Sequence, residues 1–189
     1  MRAGGGRAAL LMTLALATAC RSRATEPAAD AGHTAPGLDA HKTLAGCETL
    51  LPTDQRELML PGFSLKEERS CPTCAPLCVL RSSTEKDVSV SVTWDCKPHY
   101  ADADLHALLA PTLQAGGEEI PALGRAAARR APVQGMMQVM TWDDDTPCAL
   151  VVTWLGGTSD QAVDVARIAL SATRPDSFVA APPPDAGAP

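Results

Sequence analysis

One run of residues, Val88-Ser89-Val90-Ser91-Val92-Thr93-Trp94, constrains the fold more than any other, because apolar and small polar residues alternate along it without a break. Successive strand side chains point to opposite faces, so Val88, Val90, Val92 and Trp94 share one face and Ser89, Ser91 and Thr93 the other. This predicts a half-buried antiparallel strand with one face toward water. Cys148, Leu150, Val152 and Trp154 repeat the pattern further along the chain. Helical spacing lies between and beyond these strands. Leu105, Leu108, Leu109 and Leu113 predict a helix over 101–113, which Pro111 kinks or shortens. Thr158 and Gln161 form a capping box ahead of an apolar face that runs to about residue 172. Leu44, Cys47 and Leu51 predict a first short helix ending at Pro52, with Thr53 capping a further turn through residue 58. Together these elements predict an α+β domain of about six mainly antiparallel strands, with helices covering the apolar face of the sheet.

The chain also resembles itself at a shift of 60 residues. Pro61 falls on Pro121, Arg69 on Arg129, Pro72 on Pro132, Val79 on Val139, Val92-Thr93-Trp94 on Val152-Thr153-Trp154 and Asp104 on Asp164. The common register predicts an internal repeat in which each half runs strand, strand, strand, helix.

The flanks of this domain read differently. Arg2 and Arg7 precede an apolar stretch over 8–17 that is too short to span a bilayer, so residues 1–19 read as a signal peptide. Ala17-Thr18-Ala19-Cys20 resembles the lipobox of bacterial prolipoproteins, which makes Cys20 the expected site of lipidation by palmitate-type acyl chains. The alternative reading is a plain secretory signal. Arg21 stands where an Asp would resemble an inner-membrane retention signal, which favours the outer membrane. Residues 21–40 are rich in Ala, Asp, Pro, Gly, Thr and Ser and cannot bury enough surface to fold. They predict a disordered tether over 20–40, holding a folded domain at 41–174 about 25 Å from the bilayer. Residues 175–189 predict a disordered Pro/Ala-rich tail.

The whole chain has a formal charge of −6. Removing residues 1–19 takes away two arginines and no acid, which leaves 14 basic and 22 acidic residues and a charge of −8. Such a balance excludes nucleic acid as the expected partner and assigns the membrane contact to the lipid rather than to a basic patch.

Six cysteines fall inside the domain: Cys47, Cys71, Cys74, Cys78, Cys96 and Cys148. In an exported chain an even count predicts three disulfides, drawn from about 15 possible connectivities. A hairpin turning near 83–86 brings the 71–74 stretch opposite 95–98, which predicts a bridge from Cys71 or Cys74 to Cys96. Cys47 and Cys148, each on an apolar face, are the best remaining pair. The competing reading is a zinc site: Cys71-Pro72-Thr73-Cys74 and Cys96-Lys97-Pro98-His99 have the spacing of two ligand knuckles. Zinc would strand Cys47, Cys78 and Cys148 as an odd set, so no metal or other cofactor is expected. Thiol oxidoreduction at Cys71 and Cys74 would call for a helix N-terminus, and Ala75-Pro76 argues against one.

Cys47-Glu48-Thr49-Leu50-Leu51, Leu123-Gly124-Arg125-Ala126-Ala127 and the helix over 162–170 resemble a family of actinobacterial cell-wall lipoproteins of unknown function. Some of its relatives look like the Mog1/PsbP type of α/β/α sandwich. The resemblance implies that architecture and carries no catalytic residues; the Cys71, Cys74, Cys78 cluster departs from it.

No other pattern supplies a reaction. Asp143-Asp144-Asp145 lacks the alternating ligands of a calcium loop and reads as a solvated hairpin turn. Met136, Met137 and Met140 with Trp142 read as sheet packing rather than a copper site. His99 and His106 have no fixed partners in the sequence, and neither a Gly-x-Ser-x-Gly elbow nor a phosphate loop is present. The expectation is therefore a noncatalytic, membrane-anchored binding or assembly module of the cell envelope. Its partner would be an envelope protein or a small ligand. An apolar-ligand carrier or a zinc-binding domain is the alternative, and a thiol oxidoreductase or hydrolase stands behind both.

Overall fold

The computed structural model describes residues 42–180. The signal segment 1–19, Cys20 with the tether over 20–40, and the tail beyond residue 180 lie outside the described residues.

Seven strands form one antiparallel sheet: β2 (Phe63–Glu68), β3 (Leu77–Ser82), β4 (Ser89–Cys96), β8 (Cys148–Leu155), β7 (Met136–Trp142), β6 (Ala126–Arg130) and β5 (Glu118–Glu119), in that spatial order. A second, two-stranded ribbon pairs β1 (Lys42–Leu44) with β9 (Phe178–Ala180). The helices are α1 (Cys47–Leu50), α2 (Thr53–Met59), α3 (Leu105–Gln114) and α4 (Ser159–Ala172). The fold is α+β, as the periodicities require.

The two alternating runs become β4 and β8, and they are neighbours. Val90 lies opposite Trp154, Val92 opposite Val152 and Trp94 opposite Leu150, so both apolar faces merge into one layer. Cys78 and Leu80 of β3, Val139 of β7 and Ala127 of β6 extend that layer, and Leu50, Val165, Ala166 and Ala169 close over it from α1 and α4. Helix α4 starts where its capping box predicts, with Thr158 accepting from the Gln161 amide and the Gln161 side chain accepting from the Thr158 amide. Its last turn is tied to the sheet through Thr173, whose hydroxyl accepts from Trp94 Nε1 at 2.9 Å and donates to the Ala169 carbonyl at 2.7 Å.

Helix α3 corrects the expectation of a single covered face. It packs on the opposite side of the sheet, where Leu109 meets Ala128, Trp142 and Ala149 with Leu105, Leu108 and Met140 around them. The cause lies in the strands: β6 and β7 carry apolar residues on both faces, so their second face needs a cover as well. Asp104 caps α3 through the amides of His106 and Ala107, and Pro111 sits inside a helix that continues to Gln114.

Two further expectations change. The folded chain runs on past residue 174: Ala45 donates to the Ser177 carbonyl at 2.8 Å, Phe178 is buried, and β9 completes the ribbon with β1. The internal repeat is not shown. Leaving aside β5, which has no counterpart, the strand order is symmetric about β4 and β8, and Val92 faces Val152 across the centre. Yet Cys78 and Leu80 face the main core in β3, whereas in β7 it is Val139, the residue equated with Val79. A one-residue slip exchanges the faces of a strand, and α3 and α4 accordingly cover opposite sides.

Candidate functional site

All six domain cysteines are disulfide-bonded, as Cys47–Cys78, Cys71–Cys74 and Cys96–Cys148. The number of bonds follows the sequence reading; the pairing expected for Cys47 with Cys148, and for Cys96 with Cys71 or Cys74, is corrected. Cys96 and Cys148 are directly opposed residues of β4 and β8. Cys47 opens α1, which packs beside β2 and β3, within reach of the inward-facing Cys78. Continuing the β3–β4 register would set Cys74 against Cys96, but β3 begins only at Leu77. The 71–74 segment instead closes a turn on itself, with the Cys74 amide donating to the Cys71 carbonyl at 3.1 Å.

The same pairing takes apart the zinc reading. Cys71 and Cys74 are bonded to each other and Cys96 to Cys148, while His99 lies exposed in a 3₁₀ turn, edge-on to the Tyr100 ring. No group of three or more His, Cys, Asp or Glu side chains is arranged to hold a metal among the described residues.

Arg69 organises this end of the sheet. It follows β2, and its guanidinium donates to the carbonyls of Leu44, Ala45 and Cys74 at 3.0, 3.1 and 2.9 Å, to Thr43 Oγ1 at 3.2 Å and to Glu67 Oε1 at 2.7 Å. One side chain thus fastens the β1 ribbon, the approach to α1 and the disulfide turn to the sheet edge. The other Glu67 oxygen accepts the Cys47 amide at 2.7 Å. Burial pushes the Glu67 carboxyl up, but the Cys47 amide and the Arg69 guanidinium outweigh it and hold the carboxyl below its ordinary value. Two open clefts flank this cluster and share Ala75 and Trp94. One, of about 310 Å³, is walled by Lys42, Thr43, Thr73, Cys74, Cys96 and Phe178; the other, of about 380 Å³, by Glu68, Arg69, Ser70, Pro76, Leu77 and Thr93.

No family model, curated protein or solved structure matches the chain. What it can do is therefore argued from its own surfaces.

The second cleft opens onto the half of the sheet that α3 leaves bare. There the registers line residues up in rows across the strands: Leu77, Thr93 and Val151 in one, and Val79, Ser91, Thr153, Gln138 and Arg130 in the next. Arg81, Ser89, Leu155 and Met136 make a third. Arg130 donates to Gln138 Oε1 at 3.0 Å, and Gln138 donates to Thr153 Oγ1 at 3.2 Å, so the middle row is held in place by its own hydrogen bonds. Leu155 is 39% exposed at one corner. This is the polar face read from Ser89, Ser91 and Thr93, now broadened by strands β3, β7 and β8.

The remaining sequence candidates are structural. Asp143 is buried and closes the β7–β8 turn, accepting from the Thr146 hydroxyl and from the Asp144 amide at 3.0 Å, while Asp144 and Asp145 are exposed. Burial pushes the Asp143 carboxyl up against the opposing effect of those hydrogen bonds. Met137 packs on the main core, Met140 lies under α3, and Met136 belongs to the bare face. His106 is exposed in the first turn of α3. The sequence does not mark Arg69 as a site residue, because an arginine after Lys66-Glu67-Glu68 carries no signal that its fork will meet five acceptors.

Proposed function

We propose that this chain is a noncatalytic docking module of the cell envelope, anchored through a lipid on Cys20, with the bare half of the sheet as its protein-binding surface. One observation carries the reading: a broad sheet face, ordered by its own hydrogen bonds and carrying Leu77, Val79, Val151 and Leu155 among hydroxyls, has no helix over it among the described residues, whereas the adjoining half is covered by α3. Lys66, Arg81 and Arg130 belong to this face, against Glu68 and Asp95. The positive balance within a chain of charge −6 suits a protein partner with an acidic surface. Packing argues against the carrier of an apolar ligand, since Leu50, Leu80, Val90, Val92, Val152, Trp154 and Val165 fill the layer between sheet and helices. The envelope setting rests on the export signal and agrees with three disulfides, which persist in oxidising compartments.

A photocrosslinking residue placed at Ser91 of the full chain, expressed with its signal intact, should give protein adducts in the native envelope. The double variant Arg81→Glu/Arg130→Glu should lose them, and the same probe at Glu57 on the exposed side of α2 should not form them. Equal adducts at both positions, or adducts indifferent to the charge reversal, would overturn the docking surface. Membrane release by Cys20→Ser tests the anchor; retention of that variant would refute it.

A further inference from the structure

The three disulfides differ in what happens if a thiolate attacks them. Cys47, Cys78 and Cys148 are fully buried, and opening either bond that contains them would leave a thiolate inside the apolar core, where the charged form is strongly disfavoured. This holds even for Cys96, which is partly exposed at the wall of the first cleft, because its leaving group would be the buried Cys148. Cys71 and Cys74 are both half-exposed, in a turn whose other members, Ser70, Pro72 and Thr73, are exposed. Their bond also closes the shortest loop, a separation of 3 residues against 31 and 52, so it constrains the unfolded chain least.

The two sulfurs are not equivalent either. Cys74 is pinned: its carbonyl accepts from Arg69 at 2.9 Å and from Thr43 Oγ1 at 3.3 Å, and its amide donates to Cys71. These contacts hold the Cys74 backbone, and Lys42 and Asp95 both line the adjoining cleft wall. Cys71 lies between the exposed Ser70 and Pro72, with its Sγ 3.4 Å from Thr73 Oγ1, whereas Cys74 runs on into half-buried Ala75 and buried Pro76, so access directs an incoming sulfur to Cys71.

We infer that Cys71–Cys74 is a thiol–disulfide exchange site that takes two electrons from an external dithiol, with Cys71 attacked and Cys74 leaving. The donor thiolate attacks Cys71 Sγ. The Cys71–Cys74 bond breaks, a mixed disulfide forms between donor and Cys71, and Cys74 departs as a thiolate. The donor's second thiolate then attacks its own sulfur in the mixed disulfide and releases Cys71. Both cysteines take protons from water, the donor becomes a disulfide, and the protein gains a dithiol. Arg69 keeps Cys74 in place throughout, so the bond can open while the sheet stays folded. This inference does not depend on the docking surface.

The test uses the oxidised chain, with any Cys20 thiol that carries no lipid blocked by iodoacetamide beforehand, in buffer without denaturant. Reduced dithiothreitol serves as the dithiol, N-ethylmaleimide as the quench and peptide mass spectrometry as the readout. Cys71 and Cys74 should be labelled together, at least tenfold faster than any other pair, with an unchanged near-ultraviolet circular dichroism spectrum. A limiting monothiol, glutathione, quenched in acid, should be found on Cys71. First labelling at Cys96 and Cys148 or at Cys47 and Cys78, loss of all three bonds in one step, or no labelling short of denaturation would each overturn the site. Glutathione trapped on Cys74 would overturn the assignment of attacked and leaving sulfur.

Discussion

Removing the disulfides one pair at a time should produce a graded loss of stability that follows the loops they close. A crosslink acts largely by withdrawing conformations from the unfolded chain, and the effect grows with the logarithm of loop length. For separations of 3, 31 and 52 residues the chain-entropy relation gives about 1.6, 3.7 and 4.1 kcal/mol. Alanine at Cys47, Cys78 and Cys148 also leaves small cavities, because all three sulfurs are fully buried, which adds to the last two values. Cys71→Ala/Cys74→Ala should therefore cost less than half as much as Cys96→Ala/Cys148→Ala, with Cys47→Ala/Cys78→Ala close to the latter. At about 3 °C per kcal/mol for a domain of this size, the melting temperature should fall by about 5 °C for the first pair and about 12 °C for the other two. Urea unfolding read by tryptophan fluorescence, with Trp94, Trp142 and Trp154 all buried, gives the free energies; calorimetry gives the temperatures. If the Cys71–Cys74 variant loses as much as either of the others, loop closure is not what these bonds contribute, and the distinction drawn between them fails.

Three other perturbations follow from the geometry. Arg69→Ala removes the donors to the carbonyls of Leu44, Ala45 and Cys74 and should cost about 2–3 kcal/mol in urea unfolding; a change within the scatter of surface variants would refute its role as the fastening residue. Because the Glu67 carboxyl is held below its ordinary value in the folded chain, its contribution is full above that value and is lost as pH falls through the folded pKa. Stability curves of wild type and Glu67→Gln should accordingly converge on acidification below about pH 4.5, the ordinary value, and divergence there would reverse the sign. Gly124 has a φ of 60° and a Cβ there would lie 2.2 Å from the Trp142 carbonyl oxygen, whereas Gly135, with a φ of 79°, faces open space. Gly135→Ala should cost about 1 kcal/mol, the left-handed conformation alone, and Gly124→Ala clearly more, since backbone must also move; equal losses in thermal unfolding would count against this.

How much of the site could be read in advance differs from part to part. The bare face was legible, because the Ser89, Ser91 and Thr93 alternation declares a strand face that meets water. The second cover was half legible: β6 and β7 do not alternate, and Ala126, Ala128, Met140 and Trp142 mark a face that needs α3 over it. The clefts were not legible, since Ala75, Trp94 and Phe178 come together only when the β1–β9 ribbon folds back beside β4. That ribbon is not legible either, because Phe178 and Val179 stand alone in a proline- and alanine-rich stretch whose composition speaks for disorder.

By itself the sequence determined part of the element pattern: that 88–94 and 148–154 are strands with one apolar face each, where α4 starts, and that the six cysteines of the domain form bonds. Those are properties of local periodicity and capping, which neighbours along the chain settle among themselves. Only the tertiary structure decided who pairs with whom. Periodicity tells a strand which way to face but not which strand lies beside it. Once β8 settled against β4, Cys148 stood opposite Cys96, Cys47 was left to reach Cys78, and Cys71 and Cys74 closed on each other at the surface.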